Sequence, residues 1–198
     1  MQKFFLFFVL ISPVFFSACH SDESSQQTGT SAATEESQIF PVTAFLREQL
    51  KKMDTLPITP LLIYTANGKI DSTWLKREDV RERALPFLSP EIDSARMHSL
   101  FSEKAFLDQT INAYTFSFDP VKKLPDSVHL VHWDVYMNPQ TNAIERIYMV
   151  KENDSAGRNV TRQLTWVINK WFSTRTITQN QSRQPEVTET KLIWNFDD

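Results

Sequence analysis

His132, Asp134 and Tyr136 alternate within Val-His-Trp-Asp-Val-Tyr, residues 131–136. In a strand, this period of two places all three side chains on one face. A histidine oriented by a nearby aspartate is the arrangement of a general base in hydrolysis, which makes His132 and Asp134 the catalytic candidates. The same alternation also arises in any strand with one wet face and no chemistry. His129 precedes His132 by three residues, a spacing that turns the two rings to opposite faces of a strand and away from a shared ion. His98 lies far off in the chain and has no carboxylate cluster beside it. The sequence therefore offers no metal site and calls for no cofactor.

The five tryptophans fall into two groups. Trp133 alternates with Val131 and Val135, Trp166 with Leu164 and Ile168, and Trp194 with Leu192 and Phe196, so these three are expected in the core. Trp74 follows an Asn67-Gly68 turn and Trp171 follows an Asn169-Lys170 turn. Those two are the candidates for an exposed aromatic binding surface, where indole faces stack on sugar rings or on a protein partner. Tyr114, Phe116 and Phe118 share one face of a strand. In a curved half-barrel they would line a pocket for a lipid or another apolar ligand; in an ordinary sheet they are core.

Composition closes off other classes. The 198 residues carry 21 Lys plus Arg against 24 Asp plus Glu, a net charge of −3, without the concentrated positive charge of a nucleic-acid binder. Three scattered glycines supply neither a phosphate-binding loop nor a Gly-x-Ser-x-Gly elbow. The one cysteine, Cys19, excludes an intramolecular disulfide, a thiolate zinc cage and a Cys-x-x-Cys redox pair.

Cys19 has a context of its own. Lys3 precedes an apolar run, residues 4–16, that is too short for a bilayer span of about 20 residues. The run ends in Phe16-Ser17-Ala18-Cys19. This resembles the lipobox of bacterial lipoproteins, with Phe16 where Leu is usual. The resemblance implies a signal peptide over 1–18, cleavage before Cys19, and acylation of that cysteine as a membrane anchor. Residues 20–38 are rich in Ser, Thr, Gln and Glu and too polar to pack a core, so 19–38 reads as the lipidated cysteine and a flexible tether reaching roughly 25 Å. His20 stands where inner-membrane lipoproteins often carry Asp, which points to the outer membrane. Ser21-Asp22-Glu23 resembles the export signal of Bacteroidota-type surface lipoproteins, and both the periplasmic side and the cell surface stay open. Asp-(Ser/Thr)-(small or aliphatic) triplets occur five times among 12 aspartates, where independent placement would give about one. They resemble the O-glycosylation sequon of Bacteroidota-type envelope proteins, which implies Thr55, Ser72, Ser94, Ser127 and Ser155 as acceptors. Asp-Ser pairs also favour turns and helix caps for hydrogen-bonding reasons alone.

What remains is one domain over 39–198, long enough to bury a core without disulfides. Residues 41–53 carry a helical stripe of Val42, Phe45, Leu46, Leu50 and Met53. Further helices are expected over 76–88 and 94–107, and a short strand over 61–65. The second half reads as strands over 110–118, 128–137, 144–150, 161–168, 171–178 and 187–196, joined by turns too short for anything but antiparallel pairing. The expected fold is α+β, with N-terminal helices packed on a six- to seven-stranded antiparallel meander. The leading functional expectation is a non-enzymatic outer-membrane lipoprotein that binds an envelope protein or a glycan and no nucleic acid. Apolar-ligand carriage and a hydrolase using His132 and Asp134 are the two alternatives.

Overall fold

The computed structural model describes residues 40–155, 157–180 and 184–196. The expected signal peptide, Cys19 and the tether lie outside the described residues. Helix α1 spans Val42–Thr55, followed by the hairpin β1 (Leu61–Ala66) and β2 (Lys69–Trp74). A 3-10 turn, Arg77–Asp79, leads into α2 (Val80–Leu88), and a single turn of helix, α3 (Ala95–His98), follows. Seven strands come next: β3 (Phe101–Asp108), β4 (Ala113–Pro120), β5 (Leu130–Met137), β6 (Ile144–Ser155), β7 (Arg158–Val167), β8 (Trp171–Asn180) and β9 (Glu186–Ile193).

All nine strands form one antiparallel sheet in the order β2-β1-β9-β8-β7-β6-β5-β4-β3. The protein is mostly β, with small helices. β3 to β9 form an up-and-down meander, and the N-terminal hairpin adds to its last strand. Since β2 and β3 are the two opposite edges, residues 75–100, with α2 and α3, must cross the sheet from one edge to the other.

The strand number exceeds the expected six to seven for two local reasons. Asn67 and Gly68 both adopt positive φ, 51° and 74°, the twist that folds a two-residue hairpin back on itself. That turn recruits β2, whose six residues are all exposed and therefore carry no apolar alternation to announce a strand. Residues 94–107, expected as helix, are helical only over Ala95–His98. The rest is β3, an edge strand that pairs with β4 along its whole length from Phe101↔Pro120 to Asp108↔Ala113. Tertiary hydrogen bonding overrides local propensity there. Asn112, Asn142 and Asn169 hold positive φ at three further turns, the last of them the expected Asn169-Lys170 turn.

One face of the sheet carries the core. Trp133 and Trp166 are fully buried and Trp194 nearly so, as their alternation implied. Trp133 stacks on Phe118 at 4.6 Å and meets Phe101 edge-on at 4.5 Å. From α2, Phe87 meets Trp166 edge-on at 5.2 Å and lies tilted against Phe172 at 5.4 Å, which places that helix over β7 and β8. α1 contributes Val42, Leu46, Leu50 and Met53 to the same cluster. Phe118 and Phe116 thus belong to this packed core or its margin, while Tyr114 is exposed.

Both longer helices are capped by distant residues. Pro41 at the α1 N-cap offers no side-chain acceptor. Asp93 supplies it instead: its carboxylate accepts from the backbone N–H groups of Thr43 and Ala44, each at 2.8 Å. Thr43 Oγ1 in turn accepts from the N–H of Ile92 at 3.0 Å. At the other end of the crossing, Lys151 of β6 donates to the carbonyls of Pro86 and Ser89, where α2 ends. An ammonium at a helix C-terminus satisfies orphan carbonyls and suits the helix dipole.

Candidate functional site

The face opposite the helices is organised by register into rows that run across the strands. One row reads Phe106, Thr115, Tyr136, Arg146, Val167, Trp171, Ile193, Leu61, Trp74, each residue directly opposite the next. The two tryptophans expected at the surface, 97 positions apart in sequence, therefore share a row, with Ile193 and Leu61 between them. Three inter-strand steps separate them, about 14 Å. Trp74 is 61% exposed and meets Phe196, 59% exposed, edge-on at 6.3 Å. Trp171 is half-buried, packs against the core margin, and carries the Lys191 ammonium 4.0 Å above its ring.

The neighbouring row is polar: Lys104, Ser117, Asp134, Tyr148, Thr165, Ser173, Lys191, Ile63, Ser72. From Val167 through Trp171, Ile193 and Leu61 to Trp74 the first row is apolar, and this stretch runs beside hydroxyls and a charge on the second. Nothing in the linear sequence aligns these residues; strand register does.

His132 stands on this same face between two carboxylates. Its Nδ1 lies 2.9 Å from Asp119 Oδ1 and its Nε2 lies 3.1 Å from Asp134 Oδ1. Only the doubly protonated ring donates to both. The hydrogen bond to Asp134 is the main cause raising the pKa of His132, with Asp119 adding to it against the effect of burial. The hydrogen bond from His132 holds the Asp119 carboxyl below its usual range, helped by Lys104 at 3.1 Å. Burial pushes the Asp134 carboxyl upward, yet hydrogen bonds from His132, Ser117 and the Tyr136 hydroxyl (2.9 Å) together outweigh it and the net direction is down. Burial, then the Asp134 charge, pushes the Tyr136 phenol up to about 12. The Arg146 guanidinium lies 4.0 Å above the Tyr136 ring.

This geometry differs from a hydrolytic base. In a Ser-His-Asp relay one ring nitrogen is held by a carboxylate and the other faces the nucleophile. Here a second carboxylate occupies that other nitrogen, and Ser117 turns its hydroxyl to Asp134. The arrangement ties β3, β4 and β5 together. His132 and Asp134 were visible as a pair in the sequence, but Asp119 and Lys104 were not, because pairing of β3, β4 and β5 brings them there.

His129 precedes β5 and is exposed, away from the His132 cluster. It lines a pocket of about 290 Å³ with Pro86, Pro90, Ser127, Lys151 and Arg162. Among the described residues no group of three or more His, Cys, Asp or Glu side chains is placed to hold a metal.

The five Asp-(Ser/Thr) triplets are scattered. Thr55 ends α1 and donates to the Lys52 carbonyl at 2.7 Å. Ser72 is exposed on β2 beside Asp71. Ser94 caps α3, accepting from the N–H of Met97 at 3.3 Å, while its neighbour Asp93 caps α1. Ser127 is exposed between β4 and β5. Ser155 ends β6, and its side chain lies outside the described set.

No family model, no curated protein and no solved structure matches this chain.

Proposed function

We propose that the chain is an outer-membrane lipoprotein anchored through acylated Cys19, whose domain binds a glycan or a protein partner of the envelope without catalysing a reaction. The observation that carries the binding role is the Trp74–Leu61–Ile193–Trp171 row on the face away from the helices. Of the two partner classes a glycan is favoured. Sugar rings present C–H faces and hydroxyls on one body, and the apolar row beside the hydroxyl-bearing row offers a counterpart to each. The two tryptophan positions, three strands apart or about 14 Å along the sheet, would contact separate rings of one oligosaccharide.

The clasp around His132 supports a non-catalytic reading, since both ring nitrogens are engaged by carboxylates. The inner face supports it over apolar-ligand carriage, since Phe118 is stacked on Trp133 within the buried core cluster.

Retention of the full chain on immobilised envelope material tests the proposal, with glycan and protein fractions presented separately. Trp74→Ala is expected to weaken retention about tenfold on one of them, as for an aromatic hot spot. Its melting temperature should stay unchanged, because Trp74 is exposed. Unchanged retention of the Trp74→Ala variant on both fractions would remove the basis for the reading.

A further inference from the structure

The pocket at the end of α2 has a charge arrangement that the fold alone does not explain. Lys151 and Arg162 are direct cross-strand partners on β6 and β7, on the core side of the sheet. Like charges opposite one another in a ladder are destabilising. Among the described residues, neither cation has a carboxylate within 4 Å. The lining includes one carboxylate, Glu152, against these two cations, together with the hydroxyl of Ser127 and the ring of His129. Pro86, Pro90 and Val160 add apolar wall to a volume of about 290 Å³, near the lower end for small-molecule sites.

Lys151 is half-buried and spends two of its three N–H donors on the Pro86 and Ser89 carbonyls. Lys151 thus keeps a third donor, and it and Arg162 line the same pocket. Burial first, and the neighbouring Arg162 second, lower the Lys151 ammonium to about 8.

We infer that this pocket binds a small organic oxyanion, a carboxylate or phosphate group on a body of about one sugar ring, held between Lys151 and Arg162. A bound anion would offset the repulsion between the two cations. Capping α2 accounts for Lys151 but leaves Arg162 opposite it unexplained. The inference does not depend on the glycan row, which occupies the other face of the sheet.

Calorimetric titration of the full chain in detergent with inorganic phosphate and, separately, with glucuronate tests it. Saturable binding of at least one probe is expected, and the probe that binds distinguishes a phosphorylated ligand from an acidic sugar. Arg162→Gln should weaken that binding about tenfold, the loss of one charged hydrogen-bond donor. Arg162 is exposed and caps no helix, and its removal relieves the repulsion across the ladder, so this variant is expected to stay folded and to melt no lower than the wild type. Binding should also weaken above pH 8 as Lys151 loses its proton; His129, Glu152 and Arg162 are the other ionisable groups lining the pocket. Trp74→Ala should leave the anion titration unchanged, which separates this site from the aromatic row. Absence of saturable binding of both probes, or equal affinity in a folded Arg162→Gln variant, overturns the inference.

Discussion

At the scale of single residues, His132 matters through the charges on either side of it. Two carboxylates flank the imidazole and favour its protonated form, and a lysine, a serine hydroxyl and a tyrosine hydroxyl also contact them. The pH dependence follows from the directions of the shifts. The raised pKa of His132 means its contribution to stability is full below the ordinary histidine value of 6.5 and fades as pH rises through the higher folded value. The lowered pKa values of Asp119 and Asp134 mean their contribution is full above the ordinary 3.8 and fades as pH falls through the lower folded values. The clasp is therefore strongest between about pH 4 and 6.5. Thermal unfolding across pH should show the wild type losing stability on going from pH 6 to pH 9, and His132→Gln losing less. At pH 6 the substitution should cost about 1–2 kcal/mol, the scale of a charged hydrogen-bond pair at a partly exposed site. A His132→Gln protein with the wild-type pH profile would show that the clasp contributes nothing.

At the scale of elements, the helices are fastened by contacts that join distant parts of the chain. Asp93→Ala removes both acceptors from the first turn of α1. The expected cost is about 1–2 kcal/mol, as for loss of an N-cap, with Asp93→Asn recovering part of it. Chemical denaturation of the two variants measures this directly. Such caps were not legible in the sequence, because Asp93 reads locally as the start of a Ser94 cap and Lys151 as one charge on a strand. α1 itself was legible from its stripe, and so were the three core tryptophans, because periodicity reports which face an element buries. β2 and β3 were not, because an edge strand exposed along most of its length has no buried face to create a pattern. The candidate site shows the same division. Trp74, Trp171, His132 and Asp134 could be named from their neighbours, whereas the row joining the tryptophans and the role of Asp119 exist only through strand pairing.

At the scale of the whole molecule, the sheet separates two tasks. One face takes the helices and the aromatic core around Phe87, Trp133 and Trp166, and the other presents the Trp74–Trp171 row with its polar neighbour. For a binding module held at a membrane, a tether of roughly 25 Å would let that second face reach envelope partners. The lipid anchor is the part of this proposal on which the setting depends. Acyl chains contribute about 0.8 kcal/mol for each buried CH₂, so two or three of them hold a protein to a membrane in an effectively permanent way. Fractionation of cells producing the full chain or its Cys19→Ala variant is the most direct measurement. The parent chain is expected in the outer-membrane fraction and the variant in the soluble fraction, with its domain still folded. A Cys19→Ala protein that stays with the membrane would contradict it.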